Sequence, residues 1–72
     1  MIVKNNSQKL HNFKAWSGAV DTKQTILDHH KSEDFEFLID ELFPEGLTDT
    51  QLNDLLWFEE EWIYKQLNIK NQ

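Results

Sequence analysis

Apolar residues recur with a helical period in the middle of the chain, where they mark its best-defined element. Four of them fall at positions i, i+3, i+4 and i+7, which places them on one side of a helix predicted over residues 33–43. Ser32 is the predicted N-cap of this helix. The segment Phe43-Pro44-Glu45-Gly46 ends it, because Pro44 disfavours helical geometry at the residue before it and Gly46 suits a left-handed turn. The four residues on the predicted buried side are Phe35, Leu38, Ile39 and Leu42.

A second helix is predicted before this one, from a start at Ser17 to about His30. Ser17 is the predicted N-cap, since its hydroxyl can accept a hydrogen bond from a backbone N–H of the first turn. The apolar residues of this helix are sparse, so we expect it to cover the core with one narrow stripe. They are Ala19, Val20, Ile26 and Leu27.

The segment Thr48-Asp49-Thr50-Gln51 matches a capping box, so a further helix begins there. Either one helix runs from residue 49 to about residue 67, or it breaks near Phe58 and restarts in Glu59-Glu60-Glu61. We favour the break, because a continuous helix would put Glu59 in the middle of an apolar stripe.

The N-terminal part of the chain has a weaker pattern. Residues 8–16 are predicted as a short strand, which would pair with residues 1–4 as a hairpin or with another chain, because a lone strand leaves backbone groups unpaired. The expected fold is mainly α, a small bundle of three to four short helices, with or without a short N-terminal strand or hairpin. We expect a single small domain over residues 1–72, with frayed ends at about residues 1–7 and 68–72.

Charge is unevenly distributed along the chain, whose formal net charge is −6. Residues 1–31 hold five Lys and two acidic residues, a balance of +3, whereas residues 32–72 hold eleven acidic residues and two Lys, a balance of −9. The chain contains no Arg. With this balance we expect no direct binding to nucleic acid, whose phosphates are contacted mainly by Arg and Lys.

Cysteine is absent, which excludes disulfides and thiolate metal sites. The longest apolar run, Leu55 to Phe58, is far shorter than the roughly 20 residues that span a bilayer, and the N-terminus lacks the apolar stretch of a signal peptide. We therefore expect a cytoplasmic protein without a membrane partner.

The residues that could carry chemistry do not form a recognisable site. His29 and His30 lie among acidic residues, but adjacent residues on a helix point about 100° apart and cannot chelate one ion as an i, i+4 pair can. Ser17 beside Gly18 lacks the strand-turn-helix context of a nucleophile elbow, and there is no glycine-rich phosphate loop. We expect no enzyme activity, no metal and no cofactor.

The acidic half of the chain is the candidate partner-binding region. Phe37 lies among carboxylates on the side of its helix opposite the apolar stripe, a combination suited to a basic protein surface. Alternatively, the N-terminal segment covers Phe37 and the acids only keep the protein in solution. A continuous acidic band could also imitate a phosphate backbone, because acids at i and i+4 are about 6 Å apart. The candidate residues are Glu33, Glu36, Phe37, Asp40, Glu41, Asp49, Asp54, Glu59, Glu60 and Glu61.

The aromatic residues near the C-terminus allow two interpretations. We expect Trp57, Phe58 and Trp62 to belong to the core. Otherwise they form an exposed patch that, with Phe13, would be suited to dimerisation.

Three segments resemble small acidic proteins of unknown function from phages and mobile elements of Gram-positive bacteria. The resemblance covers about residues 10–67 and implies a context rather than site residues: small proteins that act on host machinery, including inhibitors of nucleases and anti-CRISPR proteins. The segments are Phe13-x-Ala15-Trp16-Ser17-Gly18-Ala19-x-Asp21-Thr22, Leu42-Phe43-Pro44-Glu45-Gly46 and Thr50-x-Leu52-Asn53-Asp54-Leu55-Leu56-Trp57-Phe58-Glu59.

Three functions are compatible with these observations. The leading hypothesis is a protein that binds and inhibits a basic, nucleic-acid-handling host protein in the bacterial cytoplasm, with DNA mimicry as one form of it. The second is a homo-oligomeric assembly module without inhibitory activity. The third, a sponge for a nucleotide signal, needs cations around a pocket, which only Lys4, Lys9, Lys14 and Lys23 could supply.

Overall fold

The computed structural model describes residues 1–70, which form an N-terminal hairpin followed by a helical bundle. This confirms the predicted mainly helical fold and its N-terminal hairpin. The hairpin strands are β1 (Ile2–Val3) and β2 (Asn6–Ser7), and a short 3-10 turn follows at Leu10–Asn12. The helices are α1 (Ala19–Asp28), α2 (Ser32–Leu42), α3 (Asp49–Phe58) and α4 (Glu60–Gln66).

The hairpin lies elsewhere than predicted. β1 and β2 pair antiparallel, with Val3 opposite Asn6, and both connecting residues have positive φ, as a tight hairpin turn with the favoured twist requires. The hairpin is held against the loop between α2 and α3, where the Lys4 N–H donates to the Leu47 carbonyl at 3.0 Å. Met1 and Val3 are buried in the core. The predictions of a strand over residues 8–16 and of frayed residues 1–7 are therefore wrong.

Residues 8–18 cross the bundle as a 3-10 turn and an extended segment. Leu10 and Phe13 are buried there. Ser17 has a φ of +54°, so it lies outside α1, and the N-cap position belongs to Gly18, with no side-chain hydrogen bond. The prediction of Ser17 as a capping residue is wrong, because a left-handed residue cannot also take the extended geometry in which an N-cap side chain reaches the first turn.

α1 ends at Asp28, two residues before the predicted end. A Schellman motif closes it: His30 has a φ of +57°, and the Lys31 N–H donates to the Ile26 carbonyl at 3.0 Å. α4 closes in the same way, with Asn68 at φ +58° and the Ile69 N–H bonded to the Tyr64 carbonyl at 2.8 Å. Ile69 is buried, so the predicted fraying from residue 68 does not hold as far as Ile69.

α2 begins one residue earlier than predicted. Ser32 is its first residue and Lys31 occupies the N-cap position without a side-chain hydrogen bond, so the prediction of Ser32 as N-cap is wrong. Phe35 and Ile39 are fully buried, as predicted. Leu42, however, is about half exposed, because the helix ends there.

The loop after α2 and the start of α3 follow the prediction. Gly46 turns the chain with a φ of +93°, and a Cβ at this position would also lie 2.7 Å from Cγ2 of Ile2. The capping box is complete: the Gln51 N–H donates to Thr48 Oγ1 at 3.0 Å, and the Thr48 N–H donates to Gln51 Oε1 at 2.8 Å. Glu59 separates α3 from α4, which confirms the predicted break.

The core lies between the hairpin, the 3-10 turn and the four helices, with α1 packed mainly on α3. Two polar side chains, Thr22 and Asn53, are buried in it. The Thr22 hydroxyl donates to Glu60 Oε2 at 3.1 Å, which ties α1 to the start of α4. The buried apolar residues are Met1, Val3, Leu10, Phe13, Ala19, Ile26, Phe35, Ile39, Leu47, Leu52, Leu56, Ile63, Tyr64, Leu67 and Ile69.

Candidate protein-binding surface

Four of the nine candidate acidic residues are engaged in contacts within the chain. Glu36, expected on the solvated side of α2, instead accepts a hydrogen bond from the Leu10 N–H at 2.8 Å. Asp40 lies 3.6 Å from the Met1 amine, Asp49 lies 3.2 Å from Lys4 Nζ, and Glu60 holds Thr22. These carboxylates have structural partners, so the predicted acidic face of α2 is not one continuous binding surface.

The other five candidate acids are free of such contacts. Their side chains are exposed and make no hydrogen bond or ion pair with any residue from 1 to 70. One lies on α3, one is the residue between α3 and α4, one lies on α4, and two lie on α2. They are Asp54, Glu59, Glu61, Glu33 and Glu41.

Trp57, Phe58 and Trp62 form an exposed cluster at the junction of α3 and α4, which we call the aromatic corner. Their exposed fractions are 41%, 66% and 36%, so the prediction that they belong to the core is wrong. The physical reason is that other residues fill the inner sides of both helices, Leu52 and Leu56 on α3 and Ile63 and Tyr64 on α4, so the three aromatic residues fall on outer positions. Phe13 is only 3% exposed and belongs to the core, so it is not part of a dimer patch with these residues.

Two rings of the aromatic corner, those of Trp57 and Phe58, pack against each other or against the backbone in the free chain. The rings of Trp57 and Phe58 stack with their centroids 4.8 Å apart and an interplanar angle of 12°. Trp57 also lies directly on Gly18, where an added Cβ would overlap the indole nitrogen. The Trp57 ring is thus fixed by both Gly18 and Phe58, which lowers the conformational entropy that docking would cost.

Apolar residues of α2 and α3 extend the aromatic corner into a larger surface. Leu42, Phe43 and Leu55 line a shallow hollow together with Trp62 and Glu59. Phe58 lies at the edge of an adjoining hollow that shares Phe43, Leu55 and Glu59. We define the corner surface as the aromatic corner together with Leu42, Phe43, Leu55 and Glu59.

Phe37 lies outside the corner surface. It is 67% exposed, so the alternative in which the N-terminal segment covers it is wrong. It borders a separate hollow between α2 and the end of α4, together with Leu38, Glu41 and Leu67. Phe37 and Phe58 are equally exposed aromatic residues in different places, which makes them a matched pair for mutagenesis.

Carboxylates outnumber cations in the hollow beside the aromatic corner. Glu59, Glu60 and Glu61 line the hollow between Phe58 and Trp62, and Lys65 is the single cation among the described residues that line it. No ion pair joins Lys65 to any of these carboxylates. A partner that covers this hollow therefore meets uncompensated negative charge.

The other residues considered for metal or nucleotide binding do not lie together in the structure. Within residues 1–70, no three His, Asp or Glu side chains lie close enough together to hold a metal ion. His29 and His30 are exposed at the end of α1. Of the four lysines considered for a nucleotide, Lys4 is paired with Asp49, and Lys23 Nζ donates to the Phe13 carbonyl at 2.6 Å.

Two features of the candidate site escaped the sequence analysis: the role of Gly18 and the full extent of the corner surface. Gly18 carries no chemistry, and its role depends on Trp57, which lies 39 positions further along the chain. The corner surface joins residues of α2, α3 and α4; the sequence singled out its aromatic residues and Glu59, but not Leu42, Phe43 and Leu55 as part of the same surface. A helix break inside an aromatic run was the one local signal that pointed to exposure.

Comparison with known proteins adds no relative: no protein-family model, no curated protein and no solved structure matches the chain. No helix in the described part of the chain has the length and apolar character needed to cross a membrane.

Proposed function

We propose that this chain is a non-enzymatic binding protein that docks on a basic surface of another protein through the corner surface. The observation that carries the proposal is the exposed, pre-ordered aromatic corner at the edge of a negatively charged hollow. Aromatic residues dominate the binding energy of protein interfaces, and they do so most strongly where they are rigid and central.

The charge around the corner surface selects the kind of partner. Asp54, Glu59 and Glu61 are exposed and free, so a surface rich in Lys and Arg would be attracted and an acidic one repelled. The net charge of −6 strengthens this long-range attraction. Proteins that handle nucleic acid carry basic surfaces for their own substrates, and we propose a bacterial cytoplasmic protein of this class as the partner.

Inhibition of that partner is the finer part of the proposal and rests on the resemblance to phage and mobile-element proteins. A protein docked on the basic surface of a nuclease or a CRISPR enzyme would compete with nucleic acid for it. The contacts of Glu36, Asp40, Asp49 and Glu60 favour binding anchored by aromatic residues over DNA mimicry, because a phosphate-like band would need those carboxylates free.

The test is the salt dependence of binding to a purified partner. Proteins captured from a Gram-positive lysate would be purified and titrated with the chain at low and at moderate ionic strength. We expect the affinity to fall at least about tenfold over this range, since exposed charges are screened over roughly 10 Å at 0.1 M salt. An affinity that does not change with ionic strength would contradict the proposal.

A homo-oligomer is the second candidate, and the exposed aromatic corner is the observation in its favour. An exposed apolar patch is buried as readily by a second copy as by another protein. In that case light scattering would give twice the chain mass, and stability would rise with protein concentration. A monomer at all concentrations would remove this candidate.

A further inference from the structure

Glu59 occupies a distinctive place in the corner surface. It is the residue between α3 and α4, with a φ of −110° and a ψ of 28°, which lie outside helical geometry. Glu59 borders three adjoining hollows. In one of them all the other lining residues are apolar: Leu42, Phe43, Leu55 and Trp62. Its carboxylate is thus a free negative charge at the edge of an apolar hollow.

Aromatic residues precede and follow Glu59 in the sequence, and they share a hollow with it. Phe58 and Trp62 line the same hollow as Glu59. Trp57 covers one face of the Phe58 ring, and because Phe58 is still 66% exposed, its other face is open to a ligand. The hollow measures about 470 Å³ and is open to solvent, so a side chain can enter without a rearrangement of the backbone.

We propose that the hollow between Phe58 and Trp62 receives an arginine side chain of the partner, whose guanidinium lies against an aromatic face and donates to the Glu59 carboxylate. The inference rests on the proposed function and names the residue by which the partner is recognised. Glu59 is then the specificity-determining residue of the corner surface.

The chemistry of the hollow favours arginine over lysine. A planar guanidinium stacks on aromatic rings and can still direct N–H groups at a carboxylate in its own plane. It is also less strongly hydrated than an ammonium group, so its transfer to an apolar contact costs less. Burial of Glu59 without a cation would leave an unpaired charge, which excludes a purely apolar occupant.

The test uses a small probe, so it needs no identified partner. Nα-acetyl-arginine amide would be titrated into the ¹⁵N-labelled full chain, with the isosteric but neutral Nα-acetyl-citrulline amide as its control. We expect arginine to shift the amide signals of residues 57–62 and the indole N–H signals of Trp57 and Trp62. Arginine should bind tighter than citrulline by a factor of about two to five, the size expected for an exposed cation–π contact. Equal shifts from the two probes would overturn the inference.

Two substitutions test whether Glu59 is the carboxylate that binds arginine. E59Q should lower the arginine affinity without abolishing the preference over citrulline, because the aromatic rings, Glu60 and Glu61 still line the hollow, whereas E33Q, which removes an equally free carboxylate on α2, should leave it unchanged. Arginine binding that is the same in E59Q as in the parent chain would also overturn the inference.

The inference and the proposed function fail separately. If a purified partner loses affinity with F58A or W62A but not with E59Q, the inference fails and the function stands. If the partner is indifferent to all three substitutions, the function fails as well.

Discussion

Asn53 holds the backbone of Trp16 with both ends of its side-chain amide. Its Oδ1 accepts from the Trp16 N–H at 2.9 Å, and its Nδ2 donates to the Trp16 carbonyl at 3.3 Å. Asn53 is fully buried on α3, so this pair fixes the segment that leads into α1. Gly18, two residues later, is thereby placed under Trp57.

Replacement of Asn53 should destabilise the fold strongly. The nearly isosteric N53L leaves the Trp16 N–H without a protein partner and its carbonyl with only the Ala19 N–H at 3.3 Å, so we expect a loss of about 2–3 kcal/mol in the free energy of unfolding. Urea denaturation followed by circular dichroism measures it. Q24A, which removes the exposed hydrogen bond to Asp28, should cost no more than about 0.5 kcal/mol. Similar losses for the two variants would show that Asn53 has no such role.

The G18A substitution should displace Trp57. Ala is intrinsically favoured over Gly in the helical conformation that Gly18 adopts, yet we expect a loss of about 1–3 kcal/mol from overlap with the indole ring. In a double-mutant cycle, the penalty should disappear in a W57A background. A penalty that persists there would point to a cause other than the contact with Trp57.

His30 is under backbone strain, and glycine should relieve it. At a φ of +57°, an L-residue costs roughly 1–2 kcal/mol, so H30G should raise the free energy of unfolding by about 1 kcal/mol. N68G is the matched control at the equivalent position of α4, and its gain should be smaller because Asn tolerates this conformation better than His. A larger gain for N68G than for H30G would contradict this explanation.

Glu36 should behave as a structural residue. E36A removes the acceptor of the Leu10 N–H and should cost about 1–2 kcal/mol, whereas E33A, at a free surface position one turn away, should cost less than about 0.5 kcal/mol. Thermal unfolding of the two variants provides the comparison. Equal stability would show that the contact between α2 and Leu10 contributes nothing. Because Glu36 accepts this hydrogen bond, a reversal of its charge would destabilise the fold and thereby also disturb binding.

The helices could be predicted because their signals are local. The capping box of Thr48 and Gln51 and the stop at Pro44 and Gly46 lie within a few residues of the structure they determine. The break at Glu59 was also predictable, because a carboxylate cannot lie in the middle of an apolar stripe.

The N-terminal segment could not be predicted, because its partners are distant in the chain. The backbone N–H of Leu10 donates to Glu36, and that of Trp16 donates to Asn53. The binding surface could not be predicted either, because it joins residues that are distant in the chain. The apolar pattern marked Trp57 and Trp62 as candidates for the core, but it could not show that other residues would fill the inner sides of α3 and α4.

The corner surface is tested most directly by the affinities of F58A and F37A for a purified partner. The two rings are almost equally exposed, at 66% and 67%, but only Phe58 lies in the corner surface. We expect F58A to weaken binding by about 2 kcal/mol, roughly thirtyfold, as an aromatic anchor should, and F37A to leave the affinity nearly unchanged. Loss of binding with F37A and not with F58A would contradict the assignment and move the binding site to α2.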